Sequence, residues 1–441
     1  MSNPVSPSHD KPPRGMTRRE FAKATTRTGL SVAAGMGLSM WGGAAPVRAQ
    51  SRQVHMLAWN HFIPDADDET RRQAKAFEQE TGIKILFETI NQNDLLPRAT
   101  AAVESGAGPD IFVFQWNHPH LYGGGLTDHS KIFELDDGDK VYPFQREAAI
   151  VDGVPRGVPY YGIATAMCYR EDVFKELNIT IPTYWEEFLR AGTKLKNYGM
   201  PIGQTLGHTV GDAPLWCYML LWSFGAQEVD EKGKVAIDSR QTRHAIEFMT
   251  QLWNDACDES ALAWDDSSNN RAYLSEQISC TLNGSSIYFV SRLKKMNHIA
   301  DNTNHFLHPV GANGRFHGIV PLTFSVTNYS KNQEAAFEWI RFQLRPENYE
   351  RYIVINKGFV LGRTPKFEKH PYWQDDHRVA AFNEAGKYGR NFGWPGPFNR
   401  AASEVQSKYI LVDMFARAVR GETPQKAIAW AEKEMKAIYE G

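Results

Sequence analysis

The residues best suited to ligand chemistry follow two short apolar segments in the first third of the chain. Trp59 and His61 stand at the end of one predicted strand, and Gln115, Trp116 and Asn117 at the end of another. An indole ring can cover an apolar C–H face, whereas amide and imidazole groups donate and accept hydrogen bonds. This combination favours a ligand that carries apolar faces together with many hydroxyl groups. The alternative is that each tryptophan only caps the core of its own lobe.

Two adjacent tyrosines, Tyr160 and Tyr161, open an apolar run that ends at the acids Glu171 and Asp172. The run is rich in aromatic residues and too short for an ordinary buried helix, so it predicts a strand. We expect this strand to floor a cleft and to carry a hinge between two lobes, with the chain crossing near Ala164–Ala166. The alternative is a buried strand whose tyrosines merely pack.

Three later segments add candidate ligand-binding residues. Asp212 and Trp216 lie at the start of a predicted helix, and Asn283 and Ser285 flank a glycine that lets the backbone approach a ligand closely. The segment around Trp394 contains two prolines and several aromatic residues, so its indole loses little freedom on binding. We therefore expect Trp394, together with the tryptophan after the third strand, to supply the main aromatic platforms.

Alternating strands and helices must position these residues. Strands are predicted at 54–59, 83–88 and 110–114, with helices at 67–80 and 93–104 between them. Strand–helix–strand order with short connections predicts a mostly parallel, doubly wound sheet. Ligands bind such sheets outside the carboxyl ends of the strands, which is where the first group of candidate residues stands.

The rest of the chain yields coarser predictions. Thr183 and Glu186 fit a capping box that opens a helix reaching about residue 197. The apolar run at 318–326 predicts a return crossing between the lobes, near Pro321–Phe324. The segment 403–440 predicts two helices broken at Gly421.

Composition limits the class of protein. The 441 residues carry a net charge of −2, and positions 1–49 contribute seven basic and two acidic residues, so the remainder carries −7 (−2 less +5). An acidic surface repels phosphate backbones, which argues against nucleic-acid binding. The residues after position 49 number about 390, more than one ordinary core accommodates, and predict two lobes.

The N-terminus resembles a twin-arginine export signal. Arg18-Arg19 precede a mildly apolar tract at 29–46, and Val47-Arg48-Ala49 offers a small-residue cleavage site. We expect a mature, periplasmic protein that begins at Gln50. The alternative is a basic tail ahead of an amphipathic helix.

The four cysteines are Cys168, Cys217, Cys257 and Cys280, and none forms a CxxC pair. An oxidising compartment permits three pairings that the sequence cannot rank, whereas folding before export favours reduced, buried thiols. No cofactor and no metal site is predicted.

Taken together, these segments resemble the carbohydrate-specific solute-binding proteins of bacterial ABC importers, extracellular family 1, which includes the maltose-binding type. The resemblance covers nearly all of residues 52–441 and is carried by Gly108-Pro109-Asp110-Ile111, the hinge segment 158–174, Ile181-Pro182-Thr183-Tyr184-Trp185, Leu221-Trp222-Ser223-Phe224-Gly225 and Lys331-Asn332-Gln333-Glu334. It implies an α/β fold of two lobes, each a mostly parallel doubly wound sheet, that close on a ligand in the cleft. The implied division is a leader at 1–49, a first lobe at 50–164 plus 325–376, and a second lobe at 165–324 plus 377–441.

The resemblance places several candidate residues in the family's site. Trp116 and Asn117 fall in the strand-end loop and the two tyrosines in the hinge. Asp212 and Trp216 fall at the mouth of the second lobe, Asn283 and Ser285 in a cleft loop, and Trp394 in the closing loop. Two positions depart from the maltose type: Ile163 or a neighbour replaces an acid in the hinge strand, and Ser285-Ser286 replace a cleft tryptophan. The identity of the sugar is therefore left open.

The implied function is capture of a mono- or oligosaccharide or a polyol, and its delivery to a permease and ATPase at the inner membrane, by a monomer without catalytic activity. One rival is a secreted carbohydrate-active or metal-dependent enzyme, although common hydrolase and phosphate-binding motifs are not found. Here His118-Pro119-His120 is expected to be a surface loop, and Asp265-Asp266 a solvated turn. The other rival is ferric-ion capture by Tyr160 and Tyr161.

Overall fold

The computed structural model describes residues 52–133 and 140–441. The leader predicted at 1–49 lies outside the described residues. The strands are β1 (Gln53–Trp59), β2 (Lys84–Ile90), β3 (Ile111–Gln115), β4 (Ile150–Val151), β5 (Val154–Pro155), β6 (Val158–Ile163), β7 (Ala166–Arg170), β8 (Cys280–Asn283), β9 (Thr303–Phe306), β10 (His317–Gly318), β11 (Val320–Val326), β12 (Val360–Gly362) and β13 (Gly389–Arg390).

The helices connect these strands and cover their faces. They are α1 (Pro64–Thr81), α2 (Gln92–Ser105), α3 (Ser130–Phe133), α4 (Pro143–Ala149), α5 (Glu171–Glu176), α6 (Trp185–Tyr198), α7 (Asp212–Ser223), α8 (Arg240–Ala256), α9 (Ser268–Leu274), α10 (Ser286–Leu293), α11 (Asn297–Asp301), α12 (Gln333–Gln343), α13 (Pro346–Ile355), α14 (Tyr372–Asp375), α15 (Ala380–Ala385), α16 (Arg400–Ser407), α17 (Ile410–Val419) and α18 (Pro424–Tyr439). None of the helices in the described ranges is long and apolar enough to cross a membrane.

The first lobe is built on a sheet of six described strands in the order β12-β6-β11-β3-β1-β2. β1 pairs in parallel with both β2 and β3, as predicted from the alternation of strands and helices. β11 runs antiparallel to β3 and β6, and β12 antiparallel to β6. β1, β2, β3 and β6 therefore point the same way, so their carboxyl ends meet at one edge of the sheet.

The second lobe departs from the predicted strand direction. Its sheet, as far as the described residues show, has the order β8-β7-β9, and both pairings are antiparallel. Ile202 adds parallel bridges to Cys257 and Cys280 at its edge. A mostly parallel sheet was expected here, but β7 and β8 are separated by five helices rather than by a single crossover helix. A connection of this length can join strands that run in the same or in opposite directions, so it does not fix the direction of β8 relative to β7.

Two connections between the lobes lie side by side. The first is the Ala164–Thr165 link between β6 and β7, at the predicted hinge. The second runs through residues 307–316, between β9 and β10, so the predicted crossing at Pro321–Phe324 is wrong: those residues lie inside β11 and pair with β3 and β6. His317 Nδ1 lies 3.2 Å from the Thr165 carbonyl oxygen and thereby joins the second connection to the first.

Helix boundaries differ from the predictions at two places. The capping box of α6 is shifted by one residue, because Glu187 rather than Glu186 accepts hydrogen bonds from the backbone N–H groups of Thr183 and Tyr184. The C-terminal segment forms three helices rather than two, since Tyr409 adopts a left-handed conformation (φ 58°) between α16 and α17. Side-chain pattern alone gives no sign of this break, because both flanking helices have apolar faces.

All four cysteines lie in the described ranges as free, buried thiols. Burial raises the pKa of Cys168 and of Cys257 to about 12. These thiols are therefore protonated and unreactive at neutral pH, in line with the reduced alternative.

Candidate functional site

The carboxyl edge of the first sheet and the loops of the second lobe enclose a small cavity of about 40 Å³. We call this the deep cavity. Five residues predicted as ligand-binding line it together: Trp59, Gln115, Trp116, Asp212 and Asn283. It is also lined by residues that were not predicted, among them Phe62, Gln92, Thr165, Asp266 and Phe359. The rule that ligands bind at strand ends thus selected the edge of the sheet at which this cavity lies.

The wall contributed by the first lobe is aromatic. The Trp59 ring meets Phe62 edge-on at 5.4 Å between centroids and lies 6.4 Å from Phe359. His61 supports this wall from behind, with its ring 4.8 Å from Trp59 and 5.0 Å from Phe359. Burial lowers the pKa of His61 to about 3, so its imidazole is neutral in the folded protein. The first wall thus presents apolar ring faces held by packing.

Trp116 belongs to the same wall and also reaches the second lobe. Its backbone is left-handed (φ 56°), an uncommon conformation for a bulky residue. The indole packs on Phe392 at 4.2 Å, and its Nε1–H donates to the Val210 carbonyl oxygen at 3.0 Å. Trp116 is therefore a buried link between the lobes as well as a lining residue.

The wall contributed by the second lobe is polar and is organised by Asp266. Its carboxylate accepts hydrogen bonds from three successive backbone N–H groups, those of Val210 (2.9 Å), Gly211 (3.2 Å) and Asp212 (2.8 Å). These groups lie at the start of α7, where the helix dipole also favours a negative charge. The predicted solvated turn is therefore wrong for Asp266, which is buried, although Asp265 is exposed.

Asp212 stands beside this carboxylate and faces the deep cavity. Burial, followed by the repulsion from Asp266, raises the pKa of Asp212 well above its ordinary value. Its Oδ2 accepts a hydrogen bond from Asn269 at 2.7 Å, whereas Asp266 is held by several donors. Burial also raises the pKa of Asp266, but its backbone donors oppose that shift, so Asp212 is the acid that binds a proton more readily and, when protonated, offers both a hydroxyl donor and a carbonyl acceptor.

A chain of hydrogen bonds holds the two walls together. Gln115 Nε2 donates to Gln92 Oε1 at 3.4 Å, and Gln92 Nε2 donates to Asp266 Oδ2 at 2.6 Å across the cleft. The lobes are closed on each other in this arrangement. Ligand pockets generally measure about 300–1,000 Å³, so a ligand must part the walls and take over these amide and carboxylate groups.

The loop after β8 completes the second wall. Asn283 is buried, and its amide donates to Asn270 Oδ1. A Cβ on the next residue, Gly284, would lie 2.6 Å from Phe359, so only glycine allows the loop to pack against the first wall. Ser285 is buried at the start of α10, and among the described residues its Oγ has no hydrogen-bond partner.

Several other predicted residues lie away from the deep cavity. Tyr160 packs against Phe324 at 4.1 Å, and Tyr161 lies 5.6 Å from Tyr352. Burial raises the pKa of both hinge tyrosines well above the usual value, which disfavours the phenolate form that ferric iron requires.

The indole of Trp216 is fully buried within α7, with Nε1 3.3 Å from Met249 Sδ. Trp394 lines a different groove, beside Arg390 and Phe398, and packs on Phe316 at 5.3 Å. The side-chain amide of Asn117 is buried without a hydrogen-bond partner among the described residues.

The histidine pair at His118 and His120 is not the predicted surface loop. Residues 118–121 form a 3₁₀ turn, and both imidazoles are buried. Burial lowers the pKa of His118 to about 4 and lowers that of His120. Within residues 52–133 and 140–441, no group of three His, Cys, Asp or Glu side chains is placed to hold a metal ion.

The lining residues that were not predicted differ in whether the sequence contains a signal for them. Gln92 lies two residues after the end of β2, so the strand-end rule that selected Trp59 and Gln115 could have selected it as well. Asp266 and Phe359 follow no strand and enter the site through long-range packing. Nothing in their local sequence marks them.

With this geometry in place, comparison with known proteins shows what the chain is similar to. The family model described as bacterial extracellular solute-binding protein matches residues 64–350. Proteins of Brucella abortus and Brucella suis, each named only as a binding protein, are 22% identical over 358 residues, which is 76% of this chain and 83% of theirs.

Solved structures give the same result for the fold. An ABC transporter solute-binding protein of Thermotoga lettingae, bound with α-D-tagatose, matches with a TM-score of 0.77 at 17% identity and covers 88% of this chain and 100% of its own. A sugar transporter protein of Arthrobacter chlorophenolicus with bound laminaribiose matches at 0.75 and 16%, covering 88% and 99%. A solute-binding protein of Agrobacterium radiobacter in complex with ribitol matches at 0.73 and 19%, covering 88% and 98%. The predicted two-lobed α/β fold is confirmed.

Proposed function

The chain belongs to the bacterial extracellular solute-binding proteins, and from that premise we propose that it is the carbohydrate-binding component of an ABC importer. It captures a sugar or polyol by closure of the two lobes and delivers it to a permease and ATPase at the inner membrane. The similar proteins of known structure hold tagatose, laminaribiose and ribitol, all polyhydroxylated ligands without charge. No catalytic step is part of this proposal.

The observation that carries the proposal is the contrast between the two walls of the deep cavity. Trp59, Phe62 and Phe359 present ring faces that fit the C–H faces of a sugar. Opposite them, Asp212, Asp266 and Asn283 present oxygen and amide groups that match hydroxyls. One closure thus buries both the apolar and the polar sides of a pyranose or polyol.

The charges of the lining favour a neutral ligand. The described residues that line the deep cavity include two aspartates and no lysine, arginine or histidine. An anionic ligand would bring its charge next to Asp266 without a cation to offset the lost solvation. We therefore expect phosphorylated and acidic sugars to be rejected.

Export and assembly remain part of the proposal. We propose from the sequence a twin-arginine leader, cleavage near Ala49, a periplasmic location and a monomeric state. The lobe boundaries expected at 50–164 plus 325–376 and at 165–324 plus 377–441 are kept, except that the return to the first lobe is placed before β11, whose residues pair with β3 and β6. Replacing Arg18 and Arg19 by lysine should retain the protein in the cytoplasm, and export at a normal level would contradict the leader assignment.

A ligand screen tests the binding function. The protein from Gln50 onward is unfolded and refolded to remove any carried ligand, and its melting is followed with sugars, polyols and glycerol phosphates. A specific ligand at a hundred times its dissociation constant adds about 2.7 kcal/mol of stability. Asp212→Ala should weaken binding of that ligand, whereas Asp68→Ala, at a side chain 76% exposed on α1, should not. No response to any neutral sugar or polyol would remove the proposal.

A further inference from the structure

A wide groove continues from the deep cavity along one side of the closed lobes. It has a volume of about 860 Å³, and Gln92 and Val210 line both the groove and the deep cavity. We call it the side groove. Since the two spaces share these residues, a ligand bound between the parted walls of the deep cavity can extend into the groove.

The first wall of the side groove is one face of α2. Gln92, Leu96, Thr100 and Glu104 recur every four residues and all line it. An α-helix rises 1.5 Å per residue, so this face is about 18 Å long. That length suits a chain of several linked rings rather than a single sugar.

The opposite wall is formed by the C-terminal helices. Arg400, Glu404 and Ser407 of α16 line it, and Tyr409 completes it at the break before α17. The Tyr409 ring lies parallel to His208, 4.3 Å away. Tyr409 also holds a left-handed backbone (φ 58°), which is unfavourable in a residue other than glycine. A functional need to place the Tyr409 ring at the groove would explain why this backbone conformation is kept.

A second aromatic ring, Tyr122, lines the first wall. It stacks on Phe114 at 5.3 Å, and its hydroxyl donates to the Leu96 carbonyl oxygen at 3.0 Å. The ring is therefore fixed in orientation and half-buried. Tyr122 and Tyr409 together provide rigid aromatic surfaces on both sides of the groove.

The charged groups of the side groove offset one another. Arg400 is the cation among its described lining residues, and its Nε donates to Glu404 at 2.8 Å. Its Nη1 lies 3.3 Å from the Leu121 carbonyl oxygen across the lobes. Glu404 also accepts from Lys408 at 3.2 Å. Among the described residues that line the groove, the one cation is thus paired with an acid, so an anionic ligand gains little from it.

We infer that the ligand is a neutral oligosaccharide of three or more units, with one end in the deep cavity and the rest along the side groove against Tyr122 and Tyr409. This inference rests on the proposed carbohydrate function and adds the length of the ligand. The first unit is recognised by the two walls of the deep cavity, and the later units gain affinity mainly by stacking.

Calorimetry with sugars of increasing length tests the inference. The probes are glucose and its di-, tri- and tetrasaccharides in α-1,4, β-1,4 and β-1,3 linkage, with galactose, mannose and xylose series and free polyols alongside. We expect affinity in the series that binds to rise at least about tenfold from one unit to three, which is 1.4 kcal/mol.

Two substitutions at Tyr409 distinguish a loss of ligand contacts in the groove from a loss of folding. Tyr409→Gly removes the ring but keeps the left-handed backbone without strain, and Tyr409→Phe keeps the ring. Tyr409→Gly should weaken the trisaccharide at least fivefold and leave the single sugar unchanged, whereas Tyr409→Phe should bind both normally. Melting temperatures check that both variants fold.

The outcomes are distinguishable from failure of the proposed function. The inference is overturned if the tightest binder is a single sugar, a disaccharide or a polyol and affinity does not rise with chain length. That result leaves carbohydrate binding intact. Equal loss of both ligands in Tyr409→Gly also overturns it. If no carbohydrate binds at all, the proposed function falls and the inference falls with it.

Discussion

The two walls of the deep cavity are built in opposite ways. The first wall consists of rings at or beside the carboxyl edge of the sheet, with Trp59 and Trp116 carried by the ends of β1 and β3. The second consists of polar groups at a helix start, where Asp266 holds three backbone N–H groups. The first wall is therefore a rigid binding surface, whereas the second depends on its own acids for its shape. Substitutions in the first should change affinity as well as stability, whereas those behind the second, or at the acid that shapes it, should change stability first.

The largest expected effect tests the interior behind the second wall. Trp216→Ala removes a fully buried indole from α7, and large-to-small changes of this kind cost about 3–5 kcal/mol of unfolding free energy. Urea unfolding measures the loss, and the protein that remains folded should bind ligand within about twofold of normal. Lost affinity with unchanged stability would instead place Trp216 in the ligand site, as the sequence predicted.

The next effect tests the acid that shapes the second wall. Asp266→Ala leaves three buried N–H groups at the start of α7 without their acceptor, at about 1–3 kcal/mol for each unsatisfied group, partly relieved by water. We expect a loss of about 3 kcal/mol in urea unfolding. Asp68→Ala on α1 is the control, because that carboxylate is 76% exposed and its removal should cost less than about 1 kcal/mol. Equal losses would mean that Asp266 has no special role in the wall.

A buried acid deeper in the second lobe should make the stability of the protein depend on pH. Glu228 is fully buried, accepts hydrogen bonds from the Tyr218 and Tyr439 hydroxyls, and has a pKa raised by burial to about 7. Because the folded pKa lies above the unfolded value of 4.5, the stability contributed by the protonated acid is present below pH 4.5. That contribution is lost as the pH rises through 7.

Glu228→Gln should remove this dependence. We expect the variant to gain about 2–3 kcal/mol over the parent at pH 8 and little at pH 4.5, measured by urea unfolding at both values. Glu334→Gln, at a side chain 67% exposed on α12, should show no such difference. A gain that is the same at both pH values would contradict burial as the cause.

The smallest expected effect tests the first wall. Trp59→Ala should raise the dissociation constant of the ligand identified by screening about tenfold, which is 1.4 kcal/mol, because a stacking surface is lost. Trp394→Ala is the comparison, since that indole lines a separate groove and packs on Phe316. We expect it to lower the melting temperature with little change in affinity. The reverse pattern would move the main aromatic platform to Trp394.

Much of the first lobe was predictable from sequence. The periodicity of residues 54–114 predicted three strands and two helices within a few residues of their positions, because each element has its own apolar face and end signals. The parallel direction of β1, β2 and β3 followed from the crossover helices, and with it the meeting of Trp59, Gln115 and Trp116 at one edge. These features depend on contacts that are local along the chain.

The second wall was decided only by the tertiary structure. Asp266 lies more than fifty residues beyond the backbone groups it holds, so its turn-like sequence gave no hint of burial. The left-handed backbone of Tyr409 places an aromatic ring at the side groove, and this conformation likewise follows from packing between helices. Local patterns determine which segments become strands and helices because those choices depend on neighbouring side chains. Which groups face each other across a closed cleft depends on how two lobes pack, and that is a property of the whole chain.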